Sequence, residues 1–221
     1  MSKPFVVVWE GVDGAGKTTL MNKVKEILIQ KGYTVSTYKT PSDSITGKFA
    51  KTYGNSLEID PLTRMLIFLA NTSDDSKIIK RNLSEGLDFY FIDRYFLCSI
   101  VYGFAFSKTR GAPISEQDFK NFIKIIEKLG KQVFANPDLY VIVDVPEEER
   151  VKRLSIKETQ GGLEDSLERD ALMQQNVRLF YKAFSEMNPD KVLWIVNREG
   201  ELEKTSEKIV AELLTRSKEN P

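Results

Sequence analysis

A glycine-rich segment near the N-terminus constrains this chain more than any other feature. Residues 11–18 read Gly-Val-Asp-Gly-Ala-Gly-Lys-Thr and match the pattern G-x-x-x-x-G-K-[ST]. A short apolar run at 4–9 precedes the segment, and an amphipathic helical pattern at 17–31 follows it. In this context the backbone N–H groups of the loop curl around a phosphate, and the helix N-terminus adds its positive dipole. The segment predicts a phosphate-binding loop (P-loop).

The loop's side chains indicate how it would bind a nucleotide. Lys17 is expected to reach the β- and γ-phosphates, and the Thr18 hydroxyl is expected to join the shell of a Mg²⁺ ion. The alternative is a glycine-rich turn that matches by chance, but strand, motif and helix agree. The expected nucleotide-binding residues are Gly11, Val12, Asp13, Gly14, Ala15, Gly16, Lys17, Thr18 and Thr19.

Short apolar runs alternate with helical patterns along the rest of the chain. The further runs are 33–39, 88–92, 138–145 and 191–196, and the further helical patterns are 44–53, 60–84, 96–107, 115–131, 146–155, 167–187 and 201–216. The runs are rich in β-branched and aromatic residues without polar alternation, as in strands buried on both faces. This rhythm predicts an α/β P-loop NTPase fold, with a five-stranded parallel sheet of order 2-3-1-4-5 flanked by helices. We expect a single P-loop kinase domain over residues 1–221.

Charge and composition exclude several classes of function. Lysine plus arginine and aspartate plus glutamate both number 32, so neither nucleic acid nor a membrane is an expected partner. Histidine is absent, so catalysis has to use carboxylates, cations and a metal held by oxygen. Cys98 is the only cysteine, which excludes a disulfide framework and favours a cytoplasmic location. The run at 4–9 is too short to span a bilayer.

A second motif, Asp93-Arg94-Tyr95, ends the third predicted strand and is followed by Ser99 and Tyr102. Ligands of an open parallel sheet bind beyond the carboxyl ends of its strands, so we expect this motif beside the P-loop. A structural ion pair between Asp93 and Arg94 is the alternative. A GTPase would need an N-K-x-D element, and residues 197–200, Asn-Arg-Glu-Gly, lack its lysine and aspartate. The sequence therefore favours a kinase.

Four stretches carry a resemblance to a known family. Residues 10–19 read E-G-V-D-G-A-G-K-T-T, residues 66–70 read L-I-F-L-A, Asp93-Arg94-Tyr95 precedes Ser99-x-x-Tyr102, and Glu168-Arg169-Asp170 precedes Arg178-x-x-Tyr181. In these motifs, and over most of its length, the chain resembles thymidylate kinases. The resemblance implies phosphorylation of dTMP to dTDP with ATP and Mg²⁺. It also implies a homodimer.

The resemblance assigns roles around the acceptor. Asp13 would accept from the 3′-hydroxyl, Phe68 would stack on the base and Arg94 would hold the acceptor phosphate. Ser99 would face the base edge, and Tyr102 would lie where a 2′-hydroxyl projects. The full expected substrate-binding set is Asp13, Lys39, Phe68, Thr72, Arg94, Ser99 and Tyr102.

The chain departs from the family pattern around the base. Thr72 stands where the family's F-A-A-D-R has an arginine that reads the thymine edge. Lys39 is the nearest counterpart of an arginine that touches the acceptor phosphate, and Gly103 replaces a frequent polar side chain. These departures keep open a relaxed or different pyrimidine monophosphate kinase acting on dUMP, UMP or CMP. A nucleotide-binding regulatory protein without activity is the second alternative.

The acceptor is expected to be a monophosphate rather than a nucleoside. A nucleoside's 5′-hydroxyl needs a general base, which related deoxynucleoside kinases place after the second strand. Here that region reads Lys39-Thr40-Pro41 and has no carboxylate. A monophosphate, whose second pKa is about 6, is already largely dianionic. It needs alignment and charge neutralisation instead.

The polar segment 155–166 interrupts the rhythm and predicts a mobile lid, placed at about 150–168. A surface loop is the alternative. The expected lid offers Arg153 or Lys157 as the catalytic cation. The expected catalytic set is Lys17, Asp93, Arg94, Arg153 and Lys157, and the expected metal ligands are Thr18 and Asp93.

The helical pattern at 60–84 has two candidate faces. Its apolar spacing predicts a core stripe of Leu62, Met65, Leu66 and Leu69. On its flank, Arg64, Phe68 and Thr72 recur at every fourth residue. Without the resemblance, Phe68 would be interpreted as ordinary core packing.

Overall fold

The computed structural model describes residues 3–54, 56, 58–159 and 166–219. Its strands form one parallel sheet in the order β2-β3-β1-β4-β5, which confirms the predicted topology. The strands are β1 Phe5–Gly11, β2 Val35–Lys39, β3 Phe89–Asp93, β4 Leu139–Asp144 and β5 Val192–Val196. Because β1 and β3 are adjacent, the P-loop and the Asp93-Arg94-Tyr95 motif lie at the same edge of the sheet.

Helices connect and cover the strands close to where the sequence predicts them. In the described ranges they are α1 Lys17–Gln30, α2 Ile45–Tyr53, α3 Pro61–Asn82, α4 Phe96–Thr109, α5 Glu116–Gly130, α6 Glu147–Thr159, α7 Ser166–Arg169, α8 Ala171–Met187 and α9 Leu202–Glu219. The single helix predicted at 167–187 is wrong. It is interrupted at Asp170, whose side chain accepts from the Met173 N–H and starts a new helix. No helix of the described chain is long and apolar enough to cross a membrane.

Burial on both faces holds for the central strands but not for the edge strands. Every residue of β1 and β3 is buried, as predicted for parallel strands covered by helices. Strand β2 is half-buried and ends at the exposed Lys39, and β5 is only partly buried. These two strands have a neighbour on one side only, so the prediction of full burial is wrong for them.

The core stripe predicted on α3 is half wrong. Met65 and Leu69 are buried, but Leu62 is 57% exposed and Leu66 is 48% exposed. The buried face continues instead through polar residues that have partners in the interior. The Ser76 hydroxyl lies 3.0 Å from the Tyr95 hydroxyl. Polar groups paired in this way can occupy buried positions that an apolar pattern does not reveal.

Close packing of α4 against α3 explains the glycine at position 103. A Cβ atom on Gly103 would lie 2.5 Å from the Cβ of Met65. A larger residue would force the helices apart, because interiors are close-packed. The departure from the family at Gly103 is therefore a consequence of helix packing in this chain.

Candidate active site

The P-loop connects the end of β1 to the first turn of α1. Gly16 has a φ of 75°, and a Cβ there would lie 2.8 Å from Nδ2 of Asn197, so both the backbone and the available space require glycine. Among the described residues, no side chain caps the N-terminus of α1. The N–H groups of its first turn are therefore left for an anion.

Two ion pairs connect the P-loop to the end of β3. The Lys17 ammonium contacts the Asp93 carboxylate, and both side chains are buried. Nη2 of Arg94 lies 2.6 Å from Oδ1 of Asp13. The alternative of a structural pair between Asp93 and Arg94 is therefore wrong, since each residue pairs with the P-loop.

Arg94 is held from several sides. Its backbone has a φ of 64°, and its N–H donates to the Trp9 carbonyl at 3.0 Å. Besides Asp13, its guanidinium donates to Sγ of Cys98 at 3.0 Å and lies 5.3 Å from the centre of the Tyr102 ring. Burial raises the pKa of the Cys98 thiol to about 11, so the thiol is neutral beside the cation. These contacts hold a planar guanidinium in one orientation, a shape and charge that suit a phosphate.

The buried Glu10 carboxylate holds the backbone next to Arg94. Its Oε1 accepts from the N–H groups of Tyr95 and Cys98 at 3.0 and 3.2 Å, and its Oε2 accepts from the Tyr181 hydroxyl at 2.9 Å. Burial raises the pKa of Glu10 to about 6, while Arg94 and these donors oppose the shift. The carboxylate thereby fixes the turn from β3 into α4, a segment that carries part of the predicted substrate-binding set.

Two cavities meet at this edge of the sheet. One, of about 300 Å³, lies between α3 and α4, and its wall includes Phe68, Thr72, Ser99 and Tyr102. The other, of about 310 Å³, surrounds the P-loop, and its wall includes Lys17, Thr18, Thr19, Lys39 and Asp93. We call them the acceptor cavity and the donor cavity.

Three residues, Asp13, Arg94 and Glu168, line both cavities. The structure thus brings the predicted nucleotide-binding residues and the predicted acceptor residues together at one junction. A group bound in one cavity can reach a group bound in the other there.

Neither predicted catalytic cation of the lid, Arg153 or Lys157, is seen in the wall of a cavity in the part of the chain that the structure describes. Arg153 donates to the Ala15 carbonyl at 3.1 Å and to the Asn197 carbonyl at 2.9 Å, and it pairs with Glu149. It lines neither cavity and holds the P-loop from outside. Its catalytic role stays a prediction. So does that of Lys157, whose side chain lies outside the described residues.

The first part of the expected lid, 150–168, belongs to helix α6, which packs on the rest of the domain. Helix α6 continues to Thr159, beyond its predicted end at 155, and Arg150 within it is fully buried. Arg150 pairs with Glu147 at 2.6 Å and donates to the Glu168 carbonyl. Residues 160–165 lie outside the described residues.

The sequence interpretation missed two residues that hold the P-loop. Gln174 on α8 accepts from the Asp13 N–H at 3.2 Å and donates to the Asp13 carboxylate at 3.3 Å. Asn197, which follows β5, donates from Nδ2 to the Ala15 carbonyl at 2.7 Å. The position of Asn197 at the carboxyl end of a strand was an available signal. Gln174 carries no such signal, because it lies within a helical pattern.

The described fold and the joined cavities define a P-loop phosphotransferase. A family model for thymidylate kinase matches residues 9–209. The chain is 30% identical over 214 residues to the probable thymidylate kinase of Pyrococcus horikoshii, covering 94% of both chains. It is 29% identical over 209 residues to that of Archaeoglobus fulgidus, covering 93% of this chain and 92% of the relative. The chain belongs to the thymidylate kinase family.

A solved structure supports the fold independently. The thymidylate kinase from Candida albicans matches with a TM-score of 0.72 at 20% identity, covering 98% of this chain and 95% of that one. At this level of identity the likeness establishes the shared fold.

Proposed function

We propose that this chain transfers the γ-phosphoryl group of ATP to the phosphate of dTMP, giving dTDP and ADP. The observation that carries the proposal is the meeting of two different cavities at Asp13 and Arg94. The donor cavity offers backbone N–H groups and Lys17 to phosphates. The acceptor cavity offers the ring of Phe68 to a base. Membership of the thymidylate kinase family supports the choice of acceptor.

In this proposal the chain acts mainly by positioning and by stabilising charge. The P-loop and Lys17 hold the β- and γ-phosphates, so the Lys17–Asp93 pair opens when the nucleotide binds. Arg94 aligns the acceptor phosphate at the junction of the cavities. The acceptor is largely dianionic near neutral pH and needs no general base.

The donor cavity also fits a magnesium ion. The Thr18 hydroxyl and the Asp93 carboxylate both line it, and both are the hard oxygen ligands that Mg²⁺ prefers. Among the described residues, no three His, Cys, Asp or Glu side chains form a metal-binding group. This fits an ion held largely by substrate phosphates and water. When bound, Mg²⁺ would neutralise charge that develops on the phosphates.

An activity panel tests the proposal directly. The enzyme is incubated with ATP, Mg²⁺ and each ribo- and deoxynucleoside monophosphate in turn, and ADP release is measured. The highest kcat/KM is expected for dTMP. Release no faster than without acceptor, for every monophosphate, would support the inactive regulatory protein instead. The contacts that connect Lys17, Asp93, Arg94 and Asp13 favour the enzyme.

Discrimination against ribose is the first specific expectation. Tyr102 lines the acceptor cavity, its hydroxyl lies 3.4 Å from the Gly11 carbonyl, and Arg94 lies over its ring. A side chain held in this way cannot easily yield to a 2′-hydroxyl. We expect kcat/KM for dUMP to exceed that for UMP by at least about tenfold, and Tyr102→Ala to reduce the difference. Equal values for the two substrates in the parent enzyme would remove Tyr102 from the sugar site.

We also propose that the enzyme is a homodimer, as the family resemblance implies. Five apolar side chains on two packed helices, α2 and α3, support this proposal: Ile45, Phe49, Tyr53, Leu62 and Leu66 are 48–89% exposed. Burying such a patch against a second copy would stabilise both chains. Light scattering coupled to size exclusion should give twice the chain mass. A monomer at micromolar concentration would contradict this. The cytoplasmic location stays a prediction.

A further inference from the structure

Thr72 occupies the position of the family's base-reading arginine but cannot take over its role as a hydrogen-bond donor. Its hydroxyl donates to the Phe68 carbonyl at 3.0 Å, so its one proton is engaged within the helix. The side chain is also buried. Position 72 therefore contributes no hydrogen-bond donor to a base in the acceptor cavity, and another residue has to supply it if the edge is read at all.

A guanidinium enters the same cavity from two turns earlier on α3. Arg64 lines the acceptor cavity, and its guanidinium carbon lies 5.5 Å from the centre of the Phe68 ring. It lies 5.9 Å from the centre of the Phe106 ring as well. Contacts with two aromatic rings restrict the guanidinium to the neighbourhood of the ring proposed to stack on the base.

Asn71 on α3 also lies in the wall of the acceptor cavity. The Thr46 hydroxyl donates to the Asp74 carboxylate at 3.0 Å, so it can only accept from Asn71, whose Nδ2 lies 3.1 Å away. This contact fixes the orientation of the Asn71 amide. Its Oδ1 is buried and has no hydrogen-bond partner among the described residues. A buried acceptor without a donor is costly and calls for an explanation.

We propose that Arg64 and Asn71 read the edge of the acceptor base, an inference that rests on the proposed function. Arg64 donates to an exocyclic carbonyl, and Oδ1 of Asn71 accepts from the adjacent ring N–H. Thymine and uracil present this pair at O4 and N3–H. Cytosine presents an amino group and an unprotonated nitrogen there, so both protein groups would lose their partners. Such unpaired groups discriminate more strongly than an apolar pocket does.

A comparison of dUMP with dCMP isolates this edge, because the two substrates differ only at positions 3 and 4 of the base. The Arg64→Met variant removes the donor and keeps an unbranched stem against Phe68. The dUMP-to-dCMP ratio of kcat/KM is expected to fall at least about tenfold, mainly because kcat/KM for dUMP decreases. Asn71→Ala should lower the same ratio. If the role of Asn71 were purely structural, the substitution would instead lower kcat/KM for dUMP and for dCMP by the same factor.

Arg110 offers a matched control. Its guanidinium lies 5.0 Å from the centre of the same Phe106 ring, but it does not line the acceptor cavity. Arg110→Met should leave the ratio unchanged. Thermal unfolding checks the folding of each variant, and Arg64→Leu, which also lacks a donor, provides a second replacement if Arg64→Met is unstable.

Two outcomes would overturn the inference. In the first, dUMP remains a substrate and the dUMP-to-dCMP ratio of kcat/KM is unchanged in Arg64→Met or Arg64→Leu, or it changes equally in Arg110→Met. The proposed function would then survive without this edge reading. In the second, the parent enzyme turns over no pyrimidine monophosphate, and the proposed function fails together with the inference.

Discussion

Replacing Lys17 by methionine is expected to lower kcat by roughly a hundredfold to a thousandfold. The lysine places a positive charge on the transferred phosphoryl group, where charge is redistributed in the transition state. The backbone N–H groups of the P-loop and the open first turn of α1 remain, so ATP should still bind. ADP release with saturating ATP and dTMP measures kcat, and titration with an ATP analogue measures binding.

The buried Lys17–Asp93 pair adds a second, separable effect of this substitution. The two side chains are only 7% and 3% exposed, so removing the lysine leaves a buried carboxylate without its partner. Breaking a buried pair in this way costs about 3–5 kcal/mol of the free energy of unfolding. Adding Asp93→Asn to Lys17→Met should recover much of this loss without restoring catalysis. Urea unfolding of the single and double variants measures the difference.

A control lysine on the same helix keeps the test specific. Lys25 on α1 donates to the Thr37 hydroxyl at 3.4 Å and lines neither cavity. Lys25→Met should change kcat less than twofold. A Lys17→Met enzyme that turns over at the parent rate would show that the loop does not hold the transferred phosphoryl group.

The architecture of the site could be predicted from the sequence because it depends on the order in which strands, turns and helices follow one another along the chain. A strand, a glycine-rich turn and a helix occur consecutively at residues 4–31, and the Asp93-Arg94-Tyr95 motif directly follows another strand. Parallel strands have their carboxyl ends at one edge of the sheet, so both motifs had to meet there. The ion pairs of Lys17 with Asp93 and of Arg94 with Asp13 are the structural result.

Other features depend on tertiary contacts that no local pattern encodes. The face that α3 buries was mispredicted because Asp75 and Ser76 find partners in the interior, the Ser42 hydroxyl 2.7 Å away and the Tyr95 hydroxyl. Gly103 departs from the family pattern where the backbone of α4 packs against Met65, so that a Cβ there would lie 2.5 Å from the Cβ of Met65. In both cases the neighbours of the helix, rather than its own periodicity, determine the outcome.

The largest effect on substrate affinity is expected at Arg94. Arg94→Ala removes the cation at the junction of the cavities, where the acceptor phosphate would lie. Loss of a charge-assisted contact of this kind costs about 2–4 kcal/mol, which corresponds to a weakening of dTMP binding by roughly thirty- to a thousandfold. ATP binding should change far less, because Lys17 and the P-loop hold its phosphates. Separate titrations with dTMP and with an ATP analogue measure the two affinities.

The surroundings of Arg94 allow this effect to be distinguished from a general loss of structure. Arg94→Lys keeps the charge but not the planar fork, so it cannot reproduce the contacts to Asp13 and Cys98 together. It should recover only part of the dTMP affinity. Arg94→Ala also leaves Asp13 without its cation, while the Gln174 amide still donates to the carboxylate and limits the disturbance. If both substrates weakened equally in Arg94→Ala, the residue would act through the shape of the P-loop. If dTMP alone weakened, and Arg94→Lys lay between parent and alanine, Arg94 would be the ligand of the acceptor phosphate.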